Sequence, residues 1–88
     1  MPSGPARRLP PVTLYTAPGC GLCEHAHALL REAREELGFE LAVVDISGDD
    51  ELEARYRVEL PVVEIAGERA FAFFVDADEL RARLLARP

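Results

Sequence analysis

The 88-residue chain contains no lysine and no tryptophan, one methionine and only two cysteines. The low cysteine count closes off a class of protein. Two cysteines cannot build the multi-bridge framework of a small secreted domain, so the fold must rest on an ordinary apolar core. No apolar run approaches the roughly 18 residues that a membrane-spanning helix needs. No apolar stretch marks a secretory leader, so a soluble protein of a reducing, cytoplasmic compartment is expected, with no membrane partner. Positive charge is scarce as well: ten arginines face sixteen acids, for a formal net charge of -6. That balance, with no basic patch interleaved with aromatics, argues against nucleic acid as a partner.

Among what is present, 49% hydrophobic and 30% charged residues suffice for one domain with one modest core. Residues 1–11 carry Pro2, Pro5, Pro10 and Pro11 among Ser3, Gly4, Arg7 and Arg8, and they read as a flexible arm ahead of a domain over 12–88. No internal repeat or linker follows.

Val12 to Thr16 is a β-rich run and reads as a central strand. From about Cys20 the apolar period becomes helical, with Leu22, Ala26, Leu29, Leu30, Ala33 and Leu37 on one face and Gly38 as the stop. Phe39 to Ile46 is a second strand, whose nearly continuous apolar run suits burial on both faces. Strand, helix, strand at this spacing implies a right-handed parallel crossover. Ser47-Gly48-Asp49-Asp50 supplies turn and cap chemistry for a short helix through Tyr56, with Leu52 and Tyr56 turned inward. Next, Leu60-Pro61 precedes a strand reaching Ile65 and is a candidate cis bond. Ala66-Gly67-Glu68 closes a hairpin into Arg69 to Val75, where Phe71, Phe73 and Phe74 read as core and sheet-face residues. Asp76, with Glu79 three residues on, resembles a capping box and opens a last helix that turns Ala77, Leu80, Leu84 and Leu85 to the sheet.

The two cysteines, Cys20 and Cys23, stand between a strand and an amphipathic helix, the context in which CxxC reads as redox-active. A thiol attacks a disulfide only as thiolate, and the first turn of a helix favours that anion through its unpaired N–H groups and macrodipole. Pro18 and Gly19 suit an abrupt turn into the helix, and Gly21 leaves little bulk beside the sulfur. A purely structural bridge is hard to motivate, because closing so short a loop stabilises by only roughly 2 kcal/mol. Cys20, Cys23 and His27 could place three metal ligands on one helical flank. A closed zinc site takes four, His25 lies on another side, and no metal is expected. Glu24, one turn from Cys20, is either a proton relay or an acid favoured in a first helical turn.

The order β-α-β-α-β-β-α, with CxxC opening the first helix and X-Pro before the third strand, resembles the thioredoxin fold in its compact glutaredoxin form. The likeness is closest to small bacterial glutaredoxin-like proteins. It rests on Pro18-Gly19-Cys20-Gly21-Leu22-Cys23 with its helix, and on Val44-Asp45-Ile46, Glu51-Leu52, Tyr56 and Pro61-Val62. The resemblance implies an α/β fold with a four-stranded mixed sheet and helices on both faces. It also implies a thiol–disulfide oxidoreductase of cell redox homeostasis, with Cys20 as nucleophile, Cys23 as resolver and a cis Pro61 against the sulfurs. Substrate contacts would fall on Gly21, Leu22, Leu60, Pro61 and Asp76, with Leu60 offering its backbone to an extended chain. The implied substrate is a protein or small-molecule disulfide, met by a monomer with no tightly bound cofactor. The implied reducing partner is glutathione or a thioredoxin-reductase-like enzyme. Well-characterised glutaredoxins carry a CPYC-like motif, a preceding lysine and a Gly-Gly turn before an Asp; here Cys20-Gly21-Leu22-Cys23 is the motif, no lysine exists, and Phe74-Val75 replaces the glycine pair. Two rival readings are a non-catalytic adaptor that holds a partner chain at Leu60-Pro61, and a metal or iron–sulfur carrier.

Overall fold

Side-chain alternation along one short strand sets up the whole architecture. In the computed structural model, which describes residues 9–86, strand β1 (Val12–Thr16) buries Val12 and Leu14 completely and turns Tyr15 the other way. It is central, as its composition suggests. It pairs in parallel with β2 (Leu41–Asp45) and antiparallel with β3 (Val62–Ile65), and β3 pairs antiparallel with β4 (Glu68–Ala72). The sheet order is β2-β1-β3-β4. Helix α1 (Gly21–Leu37) connects the two parallel strands, α2 (Asp50–Tyr56) runs on into a 3-10 turn over Arg57–Glu59, and α3 (Ala77–Leu85) follows β4.

Two apolar clusters divide the interior between the faces of the sheet. From α1 and α3, Ala26, Leu30, Leu80 and Leu84 meet Val12, Leu14 and Val63 on one face. On the other, Leu52 and Tyr56 of α2 meet Tyr15, Ile46 and Val62, and Cys23 joins this second group from the start of α1. Helices therefore cover both faces, and each fully buried Leu or Val contributes ~1.5–3 kcal/mol. Caps fix the helix ends: Asp49 accepts from the Leu52 N–H at 3.1 Å and Asp76 from the Glu79 N–H at 2.9 Å. At the far end of α1, Gly38 takes φ 86° and donates its N–H to the Arg34 carbonyl, the left-handed stop that glycine makes without steric cost.

Several expectations are corrected. β2 is shorter than Phe39–Ile46 and lies at a sheet edge, with Ala42 and Val43 exposed, so it is not covered on both faces. Its buried anchors are the flanking Phe39 and Ile46. Leu22 is exposed because the inward stripe of α1 runs through Cys23, Ala26 and Leu30, about 100° around the helix from it. On α3, Leu80 and Leu84 are buried, whereas Ala77 and Leu85 face outward. The capping box there is half formed, since the Glu79 carboxylate takes the Arg83 Nε at 3.0 Å. β4 ends at Ala72, so Phe71 packs against the core while Phe73 and Phe74 stay exposed. Of the anticipated arm, residues 1–8 lie outside the described residues; Leu9 packs against the core and the Pro11 carbonyl accepts from the Ala66 N–H at 2.8 Å.

Candidate active site

The chain leaves β1 through Ala17-Pro18-Gly19, and Gly19 sits at φ 77°, a left-handed position that L side chains resist. Cys20 then takes the N-cap of α1 with extended backbone, one position ahead of the first helical residue, Gly21. Its Sγ accepts the Cys23 N–H at 3.1 Å, and its carbonyl accepts the Glu24 N–H at 3.1 Å. The cysteine sulfur thus occupies the place where a helix-capping oxygen usually sits, facing the positive end of a 17-residue helix. Cys20 and Cys23 are joined as a disulfide, their Cα atoms 5.2 Å apart. Burial separates the two: Cys23 is only 1% exposed, whereas Cys20 is half-buried.

Strand register brings the remaining residues to the same end of the sheet. Tyr15 pairs with Val62 and Thr16 with Asp45, so Pro61 stands beside Thr16, the last residue before the turn to Cys20. The Leu60–Pro61 bond is cis, Pro61 is fully buried, and Leu60, 8% exposed, belongs to the cluster that contains Cys23. Of the anticipated contacts, Gly21 and Leu22 are exposed beside the cysteines, and a Cβ on Gly21 would meet nothing. Asp76 stands apart from these in role, because its carboxylate caps α3. Glu24 and His25 are exposed and His27 is half-buried. Among the described residues, no group of three or more His, Cys, Asp or Glu side chains is arranged to hold a metal ion.

Sequence reasoning missed a polar cluster beneath the site. Tyr15 and Tyr56 stack with ring centroids 4.2 Å apart, and both hydroxyls donate to one carboxylate, that of Glu64, at 3.3 and 2.8 Å. Burial, then the bond to Glu64, pushes the Tyr56 hydroxyl up to about 12. The ring of Tyr56 shares the apolar cluster of Cys23, so this network is anchored in the same packed group as the buried sulfur. A glutamate inside the apolar run Val62-Val63-Glu64-Ile65 was the one signal for it; its partners emerge only from the pairing of β1 with β3. Phe73 and Phe74 lie outside the core and the sheet face expected for them. Their exposure follows from a backbone turn that apolar alternation does not encode.

Comparison with known proteins gives this geometry a context. Residues 11–85 match the family model described as "Glutaredoxin-like domain (DUF836)". The chain is 35% identical over 78 residues to an uncharacterized protein of Mycobacterium tuberculosis, Rv0508, covering 83% of this chain and 80% of that one. It is also similar to the solution structure of protein Ne2328 from Nitrosomonas europaea, with a TM-score of 0.77 and 29% identity over 92% of this chain and 98% of that one. Fasciola hepatica thioredoxin is a more distant likeness, at a TM-score of 0.59 and 27% identity over 88% of this chain and 78% of that one. With residues 11–85 matched by that family model and thioredoxin among its structural neighbours, the chain belongs to the glutaredoxin-like family of thioredoxin-fold proteins.

Proposed function

We propose that this protein is a thiol–disulfide oxidoreductase that reduces protein or small-molecule disulfides through a mixed disulfide on Cys20. The observation that carries the reading is the unequal burial of a disulfide-bonded pair at a helix N-terminus, Cys20 reachable and Cys23 enclosed. In the reduced protein, the Cys23 N–H and the α1 dipole favour the Cys20 thiolate. That thiolate attacks one sulfur of the substrate; the substrate S–S bond breaks, a Cys20–substrate disulfide forms and the first substrate thiolate leaves. Cys23, deprotonated, then attacks the Cys20 sulfur, releasing the second substrate thiolate and forming the Cys20–Cys23 bond. Two electrons pass from the pair to the substrate, and protons from solvent neutralise the products. A thioredoxin-reductase-like enzyme returns two electrons and two protons to complete the cycle. The enzyme acts as a monomer in the cytoplasm. Substitution tests the order of events: Cys20→Ser abolishes turnover, and Cys23→Ser accumulates a covalent adduct visible by mass spectrometry. Full reductase activity in the Cys20→Ser protein contradicts the proposal.

A further inference from the structure

Resting on that redox reading, we infer that Phe73 and Phe74 select the substrate: a polypeptide disulfide with an apolar side chain beside its cysteine, and not an acidic disulfide such as that of glutathione. Phe73 stands at φ 75°, where a bulky side chain is uncommon and strained. The Phe74 N–H donates to the Ala72 carbonyl at 2.9 Å, so the strand ends in a γ-turn centred on Phe73. Two further bonds hold it there, from the Phe73 N–H to the carbonyls of Pro61 at 2.8 Å and Glu59 at 3.2 Å. Continuing the pairing of Val62 with Ala72 puts Phe73 beside Pro61, and Pro61 lies beside Thr16, the residue that leads into the turn before Cys20. Backbone bonds therefore tie the turn to the proline segment, and both aromatic rings are left outward.

The exposure is concentrated at this end. Phe74 is 68% exposed, Phe73 49% and Leu22, between the cysteines, 54%; Val58, in the turn leading to Leu60, is 82% exposed. Four of the six large apolar side chains exposed among the described residues thus belong to Cys20's own turn, the turn before the cis proline and the turn beside it. Scattered surface apolars need no explanation, but a grouped set around a reactive bond marks a contact surface. Charge selects among occupants. Glu24 and Asp76 stand at these same turns and Asp45 beside Thr16 at the end of β2, whereas Arg69 is paired with Glu59 and Arg57 with Glu53. An anionic disulfide meets these carboxylates, while two of the nearby arginines among the described residues are already paired, and an apolar chain segment covers the rings at no electrostatic cost.

The test uses single-turnover reduction by the pre-reduced full chain. Two peptide disulfides are compared that are identical except for Phe or Glu beside each cysteine, with bis(2-hydroxyethyl) disulfide as a small neutral reporter. The wild-type protein reduces the Phe peptide with a second-order rate constant about tenfold above that for the Glu peptide, and in Phe73→Ala/Phe74→Ala this ratio falls towards one. Because the readout is a ratio within one protein, a general loss of folded material does not mimic it. An equal ratio in the wild type and the double variant overturns the assignment of selectivity while leaving the redox reading standing. Failure to reduce even the small reporter in a Cys20-dependent manner overturns the redox reading itself.

Discussion

Cys20 and Tyr56 show how differently two residues disclose their roles. A cysteine pair three apart behind a β-rich run and ahead of a helix is legible because local geometry, not tertiary packing, sets its chemistry. Tyr56 was legible only as an inward residue; its bond to Glu64 at 2.8 Å and its stacking on Tyr15 depend on a strand register that no local pattern states. A hydrogen bond to a charged acceptor contributes ~1.5–3 kcal/mol, so Tyr56→Phe should lower the urea-unfolding free energy at neutral pH by an amount of that order. The pH dependence has a definite sign. Burial and Glu64 raise the hydroxyl to about 12 in the folded protein, above its value of roughly 10 in an unfolded chain. The neutral form is therefore favoured by folding, and this contribution is fully present below pH 10 and lost as pH rises towards about 12. Urea titrations between those pH values should show a steeper loss in wild type than in Tyr56→Phe; equal slopes would refute the assignment.

Elements were read well where a side-chain period or a cap announces them, and less well where backbone turns decide. The amphipathic face of α1, its stop at Gly38 and the Asp49 and Asp76 caps all follow from local chemistry. The end of β4 does not, because alternating apolar residues continue through Phe73 while the chain turns at φ 75°. β2 differs for another reason: an apolar run does not say that both faces of a strand are covered, and here Ala42 and Val43, on opposite faces, are exposed. The β3–β4 hairpin holds an untapped margin of stability. Ala66 and Gly67 form a two-residue connection with φ 54° and 82°, and alanine there bears the left-handed penalty that asparagine tolerates. Ala66→Asn should gain about 1 kcal/mol, read as a rise in the thermal midpoint. An unchanged or lowered midpoint would show that the turn relaxes at no cost in the parent chain.

At the scale of the whole molecule, three separate lengths of chain converge on one end of the sheet: the start of α1, the cis Leu60–Pro61 segment and the turn at Phe73. The resemblance foretold the first two, since CxxC and X-Pro in that order belong to a known topology. The third was hidden because its meaning lies in the pairing of β3 with β4. Everything proposed for the reaction rests on this convergence leaving one sulfur reachable and stabilised as an anion by the helix it caps. The direct measurement is the rate of Cys20 alkylation by iodoacetamide against pH in the reduced Cys23→Ser protein, where no second thiol competes. The half-maximal rate is expected at a pH clearly below the free-thiol value of about 8.5. A midpoint at or above that value would contradict the proposal, and would leave Cys20 an ordinary thiol at a helix end.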